Sequence, residues 1–163
     1  MSFTVGTDSF VSLAYAEAYF ENRLDVTAWS GASTTAREQA LITATSILNL
    51  ESWVGYVDGT TQALAFPRLG EYYDPIYGQY LDLVDVTVPD RVERATCETA
   101  LHQLNNEGVL NDAGSSLDRI KVGSIELEGR IGDNATSSKP GSVRGMIKPL
   151  LLNSGSSSWW RAN

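Results

Sequence analysis

Cys97 and His102 are the chain's one thiol and one imidazole, and they stand five residues apart in a stretch with helical spacing. Positions i and i+5 lie on different faces of a helix, so the two cannot act together on one atom, and no further Cys or His completes a zinc set. His102 in mid-helix reads as a surface or core-edge side chain rather than a general base, and Cys97 as a buried thiol. The acidic pairs Asp82 with Asp85 and Glu126 with Glu128 could hold a hard cation. They lack the glycine-punctuated ligand spacing of a calcium loop, so a solvated face is the expectation. The chain contains no nucleophile elbow, phosphate loop or dinucleotide fingerprint. No catalytic residue, cofactor site or metal site is therefore expected, and no enzymatic activity.

The stretch with the most contact chemistry is ALAFPRLGEYYDPIYGQY, residues 63 to 80, with five aromatic residues, two prolines and two glycines. Neither the helical nor the strand period holds across it. Pro67 biases Phe66 toward an extended backbone, so Leu64 and Phe66 project on one side as a small wedge. Arg68 carries five donors in a rigid fork, and in a carboxylate-rich chain a buried or interfacial Arg–carboxylate pair is its expected fate. The tyrosine-rich remainder has the composition of an ordered contact surface, or of a loop folded over its own core.

The chain has 163 residues, 42% of them hydrophobic, enough for one ordinary core. Twenty acidic against twelve basic residues leave a net charge of -8. That balance disfavours plain affinity for a phosphate backbone. A single cysteine permits no intramolecular disulfide and fits a reducing compartment. No basic leader with an apolar core opens the sequence, and the longest aliphatic run near its end is PLLL, so a cytosolic protein without membrane contact is expected.

The elements that must position these residues are mostly helices. Ser12 reads as the N-cap of a first helix whose Leu13, Ala16, Tyr19 and Phe20 share a stripe. Residues 25 to 33 read as a loop returning Trp29 to the core. Thr35 with Glu38 forms a capping-box pattern for a second helix carrying Ala40, Leu41, Ala44, Ile47 and Leu48. Pro89 and Asp90 open a third, with Val92, Ala95, Thr96, Ala100, Leu101 and Leu104 facing inward and Gly108 as its stop. In RIKVGSIELEGRI the period changes to alternation, predicting one half-buried strand or a hairpin arm. It must pair with residues 54 to 62 or with a neighbouring subunit. A short helix is expected within SVRGMIKPLLL.

The expected fold is mainly α, a helical bundle of three to four helices with a small β strand or hairpin element and an extended C-terminal tail. Residues 1–153 form one domain, with an aromatic loop insertion at 54–88 and the β element at 119–131, and residues 154–163 form a flexible tail. Trp159 and Trp160 on that tail, with Arg161 at the rim, suit a partner's pocket unless they fold back on the protomer.

Taken in order, FVSLAYAEAYFENRL, AW, REQALITATSILN, LAFPR, VPDRVERATCETALHQL and KVGSIELE follow the arrangement of a family of small tailed-phage proteins, which the chain resembles over roughly residues 8 to 131. These proteins carry the label DnaT-like single-stranded DNA-binding proteins and are similar to head-tail connectors, the portal adaptors of phage. The resemblance implies a helical protomer without catalysis that assembles into a closed ring of about twelve copies. Beneath the portal, such a ring joins capsid to tail and lines the channel for outgoing DNA. The partners implied are the portal protein, tail or nozzle proteins, further copies of the chain, and passing double-stranded DNA held without sequence-specific binding. The implied location is the virion neck, after assembly in the host cytoplasm.

An acidic channel would let a polyanion slide without sticking, so the charge favours a conduit. The alternative, a single-stranded DNA-binding or replication accessory module, is disfavoured because the tyrosines at 72, 73, 77 and 80 sit beside Glu71, Asp74 and Asp82 with only Arg68 nearby. The interface candidates are Leu64, Phe66, Pro67, Arg68, Tyr72 and Tyr73 in the loop and Trp159, Trp160 and Arg161 in the tail.

Overall fold

The computed structural model describes residues 3–84, 86–106, 120–122, 125–127 and 140–152. Helix α1 spans Leu13–Glu21, with Ser12 Oγ accepting from the Tyr15 amide. Its Ala16 and Phe20 are buried, four positions apart on one face as the 3.6 period requires. Residues 25 to 33, expected to be a loop, contain a five-residue helix α2, Thr27–Gly31. Its Trp29 packs in the core against Phe20, ring centroids 4.7 Å apart. Helix α3, Thr34–Asn49, begins two residues earlier than the expected capping box, because Ser33 accepts from the Ala36 amide. A serine hydroxyl on an extended residue satisfies that orphan donor directly.

Four short strands follow. β1, Tyr56–Val57, pairs antiparallel with β2, Arg68–Leu69. β3, Glu71–Asp74, pairs antiparallel with β4, Gln79–Asp82. Helix α4, Asp90–Asn105, has Pro89 as N-cap and acidic Asp90 and Glu93 in its first turn, which complements the positive end of the helix dipole. β5, Ile120–Val122, pairs antiparallel with β6, Ile125–Leu127. Helix α5, Gly141–Ile147, continues into a 3-10 turn at Lys148–Leu150 with Pro149 inside it. The molecule is mainly α with some β. Among the described residues, no helix is long and apolar enough to cross a membrane.

Three expectations are corrected here. Segment 54–88 is not an irregular aromatic loop, since β1 to β4 lie within it. The β element finds its partner locally as the β5–β6 hairpin, and residues 56–57 pair with 68–69 instead. Arg68 meets backbone carbonyls rather than a carboxylate. Its Nε donates to Val54 O at 2.8 Å, and its Nη2 donates to Gly55 O at 2.6 Å and Trp53 O at 3.3 Å. Its Nη1 donates to Ala65 O at 3.3 Å. The fork thus closes the turn before β1, where carbonyls lacking ladder partners need donors. Gly55 (φ +73°) lies so close to Leu69 O that a Cβ there would stand 2.2 Å away, so only glycine fits this crossing.

The core sits between α3 and α4, with α1, α2 and α5 against them. Leu41, Ala44 and Leu48 of α3, and Val92, Ala95 and Ala100 of α4, are buried. Buried Thr96 and Thr99 satisfy their hydroxyls on the carbonyls four residues back, at 2.7 and 2.8 Å. Phe66, in the cis Phe66–Pro67 segment, is 3% exposed. It stacks edge-on against Phe10 at 5.8 Å and Trp53 at 5.1 Å. Trp53 in turn donates its indole N–H to Leu48 O at 3.1 Å. Beside it, Val54 N donates to Leu150 O and Leu152 N to Ser52 O, both at 2.8 Å, tying the chain after α5 to the start of the β region.

Phe66 is thus an anchor of the protomer's own core. Phe66→Ala should destabilise the isolated protein by about 3 kcal/mol or more, because a phenyl-sized cavity is left among rigid neighbours. Urea unfolding of the two proteins, followed by tryptophan fluorescence, measures that loss.

Candidate nucleic-acid interface

The β3–β4 hairpin places aromatic side chains on the solvent side by strand alternation. In EYYD, Tyr72 and Asp74 are buried while Glu71 and Tyr73 are exposed, as the two-residue period demands. Across the ladder Tyr73 faces Tyr80 and Glu71 faces Asp82. The rings of Tyr73 and Tyr80 meet edge-on with centroids 5.5 Å apart, a cross-strand pair contributing about 0.2–1 kcal/mol. Tyr73 is 50% exposed, Tyr80 69%, and at the tip Tyr77 is 68% and Ile76 77%. Tyr56, also exposed, lies opposite Leu69, two positions before the hairpin begins.

Asp74 fixes this display from beneath. Its Oδ1 accepts from the Ile76 amide at 2.8 Å, and its backbone carbonyl accepts from the Gly78 amide at 2.8 Å. Gly78 (φ +65°) then supplies the left-handed residue that the turn needs. Both Asp74 oxygens also accept from Arg91 of α4, Nε to Oδ2 and Nη2 to Oδ1, each at 2.7 Å. Arg91 reaches Met146 O of α5 at 3.4 Å as well. Its guanidinium, with the turn amides, holds the Asp74 carboxyl down at about 2. Tyr72, donating to Asp74 Oδ2 at 3.4 Å, is pushed upward by burial and by that carboxylate.

Cations approach the hairpin from a distant part of the sequence. The 3-10 turn holding Lys148 packs against β3, and Arg144 lies one turn earlier on α5. Both are exposed and, among residues whose side chains are described, neither forms an ion pair. Other arginines are committed to structure. Arg94 pairs with Asp90. Arg23 pairs with Glu98, which also accepts from Tyr19 at 2.6 Å. Arg37 donates to Trp29 O, Ser30 O and Glu17, closing a groove of about 400 Å3 between α1 and α2.

The predicted candidates divide accordingly. Leu64, Phe66 and Tyr72 are buried in the chain's own core, so as interface residues they are corrected: apolar wedge atoms gain more from the protomer interior than from a rim. Pro67 and Arg68 are half-buried, with Arg68 spent on carbonyls. Tyr73 alone of the loop candidates is exposed. Trp159, Trp160 and Arg161 lie outside the described residues, as do Asp85, Gly108 and Glu128. Cys97 is fully buried, its thiol pushed up to about 12 by desolvation first and Glu93 second. His102 is half-buried, with Asn106 Nδ2 3.2 Å from its Nδ1. Among the described residues no three His, Cys, Asp or Glu side chains gather as a metal set. Sequence reasoning weighed Tyr77 and Tyr80 only within a stacking surface it disfavoured, and did not single out Tyr56, Arg91, Arg144 or Lys148. A hairpin signal was present in EYYD, then PIYG, then QYLD, because alternating aromatics flank an Asp-Pro turn ending in glycine.

The arrangement defines a small, mainly α protein presenting an exposed aromatic hairpin face. A family model described as "Putative DnaT-like ssDNA binding protein" matches residues 2–163, and the chain belongs to that family. Curated proteins and solved structures offer no match to it. This membership overturns the head-tail connector expectation, with its neck location, ring, portal and tail partners and channel for double-stranded DNA. The family is described by single-stranded DNA and not by a structural role in a virion. The charge of -8, which had favoured a conduit over a single-strand binder, did not exclude membership of a family so described.

Removing the carboxylate under the hairpin should be costly. Asp74→Ala leaves the partly buried Arg91 without its partner, a loss of about 3 kcal/mol by comparison with other broken buried pairs. The folded-state value of Asp74 lies below its ordinary 3.8. Its contribution is therefore complete above that value and is lost as pH falls through about 2. Acid titration of thermal stability should show a limb there in the wild type that Asp74→Asn lacks.

Proposed function

We infer that the chain binds single-stranded DNA, without catalysing a reaction, through the outward face of the β3–β4 hairpin. The observation that carries this reading is the exposed Tyr73–Tyr80 pair held rigid above the Asp74–Arg91 contact, in a member of the family described by that ligand. Bases stack on aromatic rings whatever their sequence, at about 1–3 kcal/mol each. Single strands expose base faces that a duplex conceals. Tyr77 at the tip and Tyr56 before the hairpin extend the platform, while Arg144 and Lys148 supply phosphate contacts. The helices act as a small bundle that keeps the hairpin from collapsing onto itself. The role suits a reducing cytoplasm, given a single buried thiol.

The net charge of -8 then shapes how binding behaves. Most of the affinity comes from stacking, because the chain's acidic excess opposes a broad phosphate footprint. Each phosphate neutralised on a single strand contributes about 0.7 to the logarithmic salt slope, so two cations give about 1.4.

Fluorescence anisotropy with a labelled single-stranded oligonucleotide tests this. Tyr73→Ala and Tyr80→Ala should each weaken binding about tenfold or more while lowering the melting temperature by no more than about 4 °C, and the salt slope should be shallow. If the wild type binds no strand at low salt, or both alanine variants bind as well as it does, the assignment is wrong.

A further inference from the structure

The outward face of the hairpin carries a second register pair beside the tyrosines. Glu71 stands directly opposite Asp82, both exposed. Like charges facing each other weaken a ladder, and on a surface that approaches phosphates they repel the ligand as well. Carboxylates have one compensating property: they only accept hydrogen bonds, two lone-pair-bearing oxygens side by side. Asp82 spends Oδ1 on the Val84 amide at 2.9 Å and keeps Oδ2. Residues two apart on one strand face are separated by about 7 Å, so a base stacked on Tyr73 brings its edge to Glu71.

Resting on the single-strand reading above, we propose that Glu71, with Asp82 beside it, makes the hairpin selective for guanine among unpaired bases. The free edge of guanine presents N1–H and the N2 amine next to each other, two parallel donors that match one carboxylate, as an arginine fork does. Adenine and cytosine each set an acceptor nitrogen beside their amine, and that lone pair meets the carboxylate unfavourably. Thymine offers one N–H between two carbonyls. Stacking on Tyr73 and Tyr80 binds any base, and the carboxylates penalise every base except the one that satisfies them.

The test compares three labelled strands of about 16 nucleotides: thymine only, thymine with scattered guanines, and the same strand with inosine at each guanine position, which removes the N2 amine alone. The guanine strand should bind about tenfold tighter than the thymine strand, and the inosine strand should lose most of that gain. Glu71→Gln, an exposed change that leaves the fold intact, should bring the guanine-to-thymine ratio near one while leaving thymine binding equal or stronger. Measurable binding with a wild-type ratio near one, or a preference that survives Glu71→Gln, overturns the guanine assignment and leaves single-strand binding standing. Failure of all three strands to bind removes both.

Discussion

Asp74 and Arg91 meet in a two-point contact at 2.7 Å, and four parts of the molecule converge on it. The carboxylate shapes the β3–β4 turn through the Ile76 amide, and the guanidinium belongs to the first turn of α4 and touches the Met146 carbonyl of α5. Tyr72 donates to the same carboxylate. A planar fork facing a carboxylate fixes direction as well as distance. The hairpin is thereby held at a set angle to the helices, so its outer face stays outward. A two-stranded ribbon without such an attachment is marginal in water.

Beneath the hairpin, two other contacts set where the strands begin. Arg68 gathers carbonyls from Trp53, Val54, Gly55 and Ala65, and Phe66 fills the space between Phe10 and Trp53. Polar backbone that would otherwise be stranded near the core is satisfied by one side chain, while the neighbouring ring contributes the apolar area. Desolvation lowers the Arg68 pKa, but a guanidinium stays charged throughout the biological range. The β region is therefore anchored at both ends, by Arg68 at β1–β2 and Arg91 at the β3–β4 turn. These two arginines serve architecture.

This division explains how an acidic protein belongs to a family described by single-stranded DNA. Net charge governs long-range attraction and solubility, whereas contact chemistry depends on a few side chains on one face. On this hairpin the outward face is aromatic, with the carboxylates of Glu71 and Asp82 beside the tyrosines. Such a surface addresses bases before phosphates.

The sequence by itself determined helices α1, α3 and α4, because their signals are local, while the five-residue α2 was read as a loop. Ser12 caps α1 within three residues of itself, the apolar spacing of Leu41, Ala44 and Leu48 marks the buried side of α3, and Pro89 opens α4. Burial of Trp29 and Cys97 was also legible, since large or soft apolar groups leave water wherever a core exists. The hairpin was half legible: its turn residues and alternation stand in the sequence, but its strands are four residues long and were lost among prolines and glycines. Tertiary structure alone decided the charge partners. Asp74 lies seventeen residues from Arg91, and Arg68 binds carbonyls, which have no identity in a sequence. It also brought the turn at Lys148–Leu150 against β3, which ends at Asp74 far earlier in the chain. Proximity of that kind is fixed by how the helices pack, and packing depends on the whole set of buried side chains at once.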